Sequence, residues 1–185
     1  VSACGNGARC VAYFLSKNLN IKEIKLKTNN RLLSAKIVGD FDVELAMGKP
    51  LFNFEEIPLS KTVDPSNVTL NINNKIFKEG FCVNVGNPHI IFFVKNCFAY
   101  DLKVIGPKIE NHELFPEKIN VTFAEVINKK NIKVNVWERG AGLTKACGTA
   151  ACASAIAGLK NKLVHNKVSI KFNEGILKIN ISEND

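Results

Sequence analysis

The sequence has no apolar run approaching the roughly 18 residues that a membrane-spanning helix needs, which argues against a helical membrane protein. Its N-terminus lacks a basic region followed by an apolar stretch, the pattern of a secretory leader, so a cytoplasmic chain with reduced thiols is expected. A compact basic run interleaved with aromatic residues is also missing. The formal net charge is +8, but the lysines that supply it (Lys22, Lys25, Lys27, Lys75, Lys78, Lys129, Lys130, Lys133) are scattered. That pattern speaks for a solvated surface and against nucleic acid as a partner, although a diffuse positive field favours carboxylate-bearing ligands modestly. Six cysteines are present, yet no two stand as a C-x-x-C pair. Neither the spacing of a zinc site nor a disulfide framework is met, so no metal is expected. The hydrophobic fraction of 46% and charged fraction of 23% are those of an ordinary soluble globular protein.

What the chain does contain is a repeat. Ala3-Cys4-Gly5-Asn6-Gly7-Ala8-Arg9-Cys10 and Ala146-Cys147-Gly148-Thr149-Ala150-Ala151-Cys152-Ala153 are near copies. Each sets a cysteine directly before small residues that open an apolar, helix-forming run. A helix start lowers a thiol pKa and favours the thiolate. It also leaves backbone N–H groups without helical partners, here those of Gly5, Asn6, Gly148 and Thr149, and such groups suit a carboxylate. Two thiols facing one α-carbon from opposite sides would remove a proton from one face and return one to the other. The first reading is an epimerase or racemase that needs no cofactor, with Cys4 and Cys147 as its acid–base pair. A single buried cysteine would be ordinary packing; two in matching Ala-Cys-Gly contexts are harder to explain that way. Cys10, Cys152, Cys82 and Cys97 are expected to be packing residues.

The periodicity predicts a helix from Gly5 to about Asn18, with Val11, Phe14 and Leu15 on its apolar face. Strands are expected at 21–27, 32–38 and 41–47, with Gly39-Asp40 turning between the last two. Met47-Gly48-Lys49-Pro50 breaks the pattern, and the irregular stretch to about Ser66 reads as a linker. Further strands are expected at 68–72, 81–85, 89–94, 121–127, 132–138, 168–172 and 176–181. Residues 100–110 look helical but contain Gly106-Pro107, which suggests two short pieces. The second long helix should begin near Thr149 and run to about Lys162. It is apolar nearly all round for two turns, which calls for burial on most sides. The expected architecture is α/β, of the α+β kind, with two units, each a strand-rich shell around a central helix. Residues 1–47 form a partial N-terminal lobe and 48–185 the C-terminal lobe, with the linker near 48–66. Three strands cannot surround a helix, so the first lobe reads as incomplete and the chain as a fragment, or as lacking residues before Val1.

Two further clusters carry polar chemistry. Gly86-Asn87-Pro88-His89 delivers Asn87 and His89 to a strand entrance, either as a capped turn with a satisfied imidazole or as ligand contacts near a thiol. Trp137-Glu138-Arg139-Gly140-Ala141-Gly142 ends a strand and is separated from Cys147 by only four residues. Arg139 there could clamp a carboxylate in two-pronged fashion, and Glu138 could hold an ammonium group or orient a thiol; a surface ion pair is the plainer alternative.

Together ACGNGARC (3–10), GNPHIIFFV (86–94), NHELFPEKINVTF (111–123) and WERGAGLTKACGTAACA (137–153) resemble the diaminopimelate epimerases, of the cofactor-independent, two-cysteine epimerase and racemase family. The resemblance spans most of the chain in the family's order. It implies two pseudo-symmetric α/β lobes with the site in the cleft between them. It implies that Cys4 and Cys147 exchange protons, that His89 and Glu138 flank the thiols, and that Asn87, Asn120 and Arg139 grip the distal end of the substrate. Gly5, Asn6, Gly148 and Thr149 match the cradle for the reacting carboxylate. Leu143 stands where the family usually has Glu, and Ala150 where it has Gly. The family's N-terminal portion and its closing C-terminal segment have no counterpart here, so activity of the fragment by itself is in question. The expected activity is epimerisation of LL-2,6-diaminopimelate to meso-diaminopimelate, in lysine and cell-wall precursor biosynthesis, with an amino acid as the partner and a homodimer left open. Alternatives are a proline racemase-like enzyme of the same superfamily, an inactive fragment acting as a binding module and, more distantly, a metal or redox protein.

Overall fold

The computed structural model describes residues 5–28 and 32–182. The chain divides into two compact units, Val1–Lys49 and Pro50–Asp185, and each is taken by itself.

In the first unit the described residues form one helix, α1 (Gly5–Leu19), and an antiparallel sheet of β1 (Glu23–Lys27), β2 (Leu32–Gly39) and β3 (Asp42–Ala46) in that order. Ala12, Ile24 and Ala35 make its small core, with Leu15, Leu26, Val43 and Leu45 against it. Val11 and Phe14, expected on the buried face of the helix, are 49% and 67% exposed. Ala12 takes the central place instead, because its lack of bulk lets α1 lie close on the sheet. Cys10, expected to pack, is exposed. The hairpin turns at Asp40-Phe41 rather than Gly39-Asp40: Gly39 still pairs with Asp42, and Phe41 takes the left-handed conformation at φ 57°. Its ring stacks on Tyr13, whose hydroxyl donates to Asp40, and so ties α1 to the turn.

The second unit is built on one mixed sheet, in the order β11-β10-β8-β7-β6-β5-β4, with β9 paired to β8. The strands are β4 (Val68–Ile72), β5 (Lys75–Asn84), β6 (Pro88–Phe93), β7 (Asn120–Asn128), β8 (Asn131–Glu138), β9 (Gly142–Thr144), β10 (Lys167–Phe172) and β11 (Gly175–Asn180). Two neighbouring pairs are parallel, β6 with β7 and β8 with β10. Each needs a crossover, and each crossover carries a helix: α2 (Leu102–Glu110) for the first and α3 (Gly148–Lys160) for the second. Side chains alternate across a strand, so the sheet has two apolar faces. Phe81, Val83, Ile91, Ala124 and Val134 join the core of α3. Cys82, Ile90, Phe92, Val121 and Phe123 join that of α2. As expected, α3 is buried on nearly all sides, through Thr149, Ala150, Ala151, Ala153, Ser154, Ala155, Ile156, Ala157 and Gly158. Its small residues let the sheet curl around it.

Two local expectations give way to tertiary packing. Residues 100–110 are not two pieces; α2 continues through Pro107, capped by Asp101, whose side chain accepts from the Lys103 N–H. Gly106 is there for space rather than to break the helix: a Cβ at this position would lie 2.5 Å from Trp137 Cγ and Cδ2. The stretch read as a linker is packed from Pro50 onward. Leu51 exchanges two backbone hydrogen bonds with Asn84, the Cys82 N–H donates to Pro65 O, and Ile57 and Leu59 are buried. Among the described residues, no helix is long and apolar enough to cross a membrane.

Candidate active site

One end of the sheet collects the polar residues of the second unit. β5 finishes at Asn84 opposite Pro88, where β6 begins. His89 on β6 lies beside Asn120 at the start of the parallel β7, and Val121 faces Trp137 near the end of β8. Asn87, His89, Asn120, Glu138 and Arg139 are thereby brought to the same end. The turn before β6 needs glycine at Gly86, with φ 114°. That turn is fixed by the Asn84 side chain, whose Oδ1 accepts the Gly86 N–H. After β8 the chain doubles back as β9, with Thr144 opposite Val136, and reaches the start of α3.

Cys147 is the N-cap of α3, with extended φ and ψ of −139° and 114°. It is 5% exposed. Its Sγ lies 3.3 Å from Thr149 Oγ1. The Glu138 carboxylate is the other neighbour, acting on the thiol by charge and by hydrogen bond. Burial pushes the Cys147 pKa up to about 12; Thr149 and the Ala150 N–H pull it down, and Glu138 adds to the rise. The expectation of a thiolate created by the helix start is corrected here. The helix does act in the expected direction, but desolvation of the anion and a neighbouring negative charge outweigh it. Cys147 is a neutral thiol beside the Glu138 carboxylate. Gly148 and Thr149 open the first turn behind it, where N–H groups have no carbonyl of their own helix to bond.

His89 is fully buried. Its Nε2 is 3.0 Å from Asn87 Oδ1, and its Nδ1 has no hydrogen-bond partner. Burial, reinforced by the Arg139 charge, lowers its pKa to about 3, so the imidazole is neutral. Asn120 is buried as well and is used on both sides: Nδ2 donates to Pro88 O at 2.7 Å, and Oδ1 accepts the Arg139 N–H at 2.9 Å. Arg139 Nη1 donates to Glu117 O at 2.7 Å. Asn120 therefore joins the starts of β6 and β7 to the arginine. Its observed bonds are to the protein frame.

Gly5 and Asn6 belong to the other unit, where they open α1. Gly5 is buried, and Asn6 Oδ1 accepts from Arg9 Nη2 at 2.6 Å. Cys4 lies outside the described residues. Sequence reasoning missed Glu110, a buried carboxylate that accepts from Trp137 Nε1 at 2.6 Å and from the Gly140 N–H at 3.0 Å. A signal was available: an acidic residue in the last turn of a helix opposes the helix dipole and calls for a specific partner. Among the described residues, no three His, Cys, Asp or Glu side chains come together as a metal-holding group.

Comparison with known proteins bears on the whole chain. The family model for diaminopimelate epimerase matches residues 81–185. A diaminopimelate epimerase of Pelagibacter ubique (strain HTCC1062) is 57% identical over 184 residues, covering 98% of this chain and 67% of the relative. One of Wolbachia sp. subsp. Brugia malayi (strain TRS) is 42% identical over 187 residues, covering 100% of this chain and 71% of the relative. Among solved structures, the Bacillus anthracis phenazine biosynthesis protein of the PhzF family matches with a TM-score of 0.55 at 15% identity, covering 94% of this chain and 64% of that one. At that identity the likeness is one of fold. The chain spans about two thirds of the length of these proteins.

Proposed function

Because the chain belongs to the diaminopimelate epimerase family, we propose that its two thiols, Cys4 and Cys147, interconvert LL-2,6-diaminopimelate and meso-diaminopimelate by exchanging the α-proton without a cofactor. The observation that carries this reading is the Cys147 thiol, buried at the start of α3 with Glu138 against it. The assignment of Cys4 rests on its matching Ala-Cys-Gly context.

In one direction a Cys4 thiolate takes the α-proton as the C–H bond breaks. Cys147 gives its S–H proton to the opposite face, and Glu138 steadies the thiol. In the other direction the roles swap: the Cys147 thiolate left by that step takes the α-proton, and the Cys4 thiol gives its own to the opposite face. No electrons are gained or lost overall. The α-proton is weakly acidic, so the developing charge on the reacting carboxylate needs fixed donors. The first-turn N–H groups of Gly148 and Thr149 supply them at the positive end of α3, and Gly5 and Asn6 are assigned the same duty at α1. The neutral His89 brings a hydrogen-bonding group to the thiols without adding charge. Arg139 binds the distal carboxylate, with Asn87 beside it and Asn120 holding the arginine backbone. A two-headed amino acid is thus selected over a simple one. The reading assigns the protein to lysine and cell-wall precursor biosynthesis in the cytoplasm.

Stereochemical analysis of purified chain incubated with LL-diaminopimelate tests this. We expect meso product from the parent sequence, and losses of roughly 100-fold or more for Cys147→Ala and for Cys4→Ala, the scale of a lost general acid or base. Undiminished turnover by either variant, or racemisation of proline in place of diaminopimelate, would overturn it.

A further inference from the structure

Glu110 closes α2 and is 5% exposed. One carboxylate oxygen accepts the Trp137 indole N–H and the other the Gly140 backbone N–H. The two bonds fall on either side of Glu138 and Arg139 in the chain. α2 meets Trp137 a second time at Gly106, where the absence of a side chain lets the helix lie directly on the indole. Positions 106 and 110 are four apart and share one helix face. The helix therefore holds Trp137 by its ring and by its N–H together.

Neighbouring residues of a strand point to opposite faces. Trp137 packs into the core on the α2 side, while Glu138 acts on Cys147. Beyond them the chain turns tightly: the Ala141 N–H donates to Glu138 O at 3.0 Å, and Gly140 has φ 74°. A carboxylate is disfavoured both by burial and by the negative end of a helix. Two N–H donors on its two oxygens offset that cost. Glutamine could not do so, since its NH₂ would face one of the donors.

We propose that Glu110 is a positioning residue: by gripping Trp137 and Gly140 from outside the site, it fixes where Glu138 stands against the Cys147 thiol. This rests on the epimerase reading only for its consequence in turnover; the placement of Glu138 is measurable without substrate.

The test follows Cys147 alkylation against pH, resolved peptide by peptide by mass spectrometry, in the full chain. Because Glu138 raises the Cys147 pKa, Glu138→Gln is expected to lower the pH at which Cys147 becomes reactive. Glu110→Gln is expected to lower it in the same direction and to add nothing when Glu138 is already Gln. With diaminopimelate, Glu110→Gln should reduce kcat roughly 10- to 100-fold, the scale of a misplaced catalytic group. KM should stay within about threefold, since Arg139 keeps its bonds to Asn120 and Glu117. A Cys147 profile unmoved by Glu110→Gln, or moved equally in both backgrounds, overturns the proposal. Where Glu110→Gln fails to fold, Trp137→Phe removes one of the two grips while keeping an aromatic ring, and an unmoved profile in that variant overturns it equally. Absence of diaminopimelate turnover in the parent chain would count against the epimerase reading while leaving the alkylation result to decide the role of Glu110.

Discussion

Cys147 and His89 are both buried and both uncharged, though their titrations run in opposite senses. The Cys147 pKa is raised from an ordinary 9.0 to about 12, so the folded state favours the protonated thiol. Its contribution to stability is present below about pH 9 and is lost as the pH rises toward 12. The His89 pKa is lowered from 6.5 to about 3, so the folded state favours the neutral ring. That contribution is present above pH 6.5 and is lost as the pH falls toward 3. Urea unfolding of the parent and of His89→Gln should therefore show a stability difference that narrows between pH 6.5 and 3. The difference between the parent and Cys147→Ala should narrow between pH 9 and 12. Differences independent of pH in these windows would show that the two groups are not held neutral by the fold. The repeat and the short polar motifs were enough to name Cys147, His89 and Glu138 as candidates. The protonation of Cys147 was not legible, because a helix start is local and visible in sequence, whereas the strands that cover the thiol are distant in it.

Elements were legible where a single period governed them. Val68–Ile72 alternates buried and exposed positions without a break, and α3 announces its burial by having no polar stripe. Local signals failed where tertiary contact reversed their meaning. Gly106-Pro107 is a breaker by itself, yet Gly106 is what allows α2 to sit on Trp137. Residues 50–66 have no period, yet Ile57 and Leu59 are buried. In α1 Val11 and Phe14 are exposed, and the small Ala12 sits at the core with Leu15 against it. The close fit around α3 gives this scale its prediction. Ala155 is fully buried, and enlarging it forces strain on neighbouring strands. Ala155→Leu should destabilise the chain by about 1–3 kcal/mol, read as a lower urea midpoint at unchanged slope. A neutral or stabilising effect would show that space remains beside the helix.

At the scale of the whole molecule, the second unit carries most of the proposed site residues. One end of its mixed sheet gathers Asn87, His89, Asn120, Glu138 and Arg139, and α3 begins beside them with Cys147. The sheet has a helix on each face for a reason that joins fold to chemistry: α3 presents the thiol, while α2, through Glu110, grips the strand end that carries its carboxylate. Cys4 gives the first unit its part in the proposed exchange. The two-base claim is tested most directly by incubating LL-diaminopimelate with the chain in heavy water and measuring deuterium at the α-carbon of each product by mass spectrometry. Deuterium at every inverted centre, and its absence when Cys147 is alanine, is the expected result. Inversion that retains the original hydrogen throughout, or undiminished formation of inverted, deuterated product by Cys147→Ala, would contradict proton exchange between two thiols.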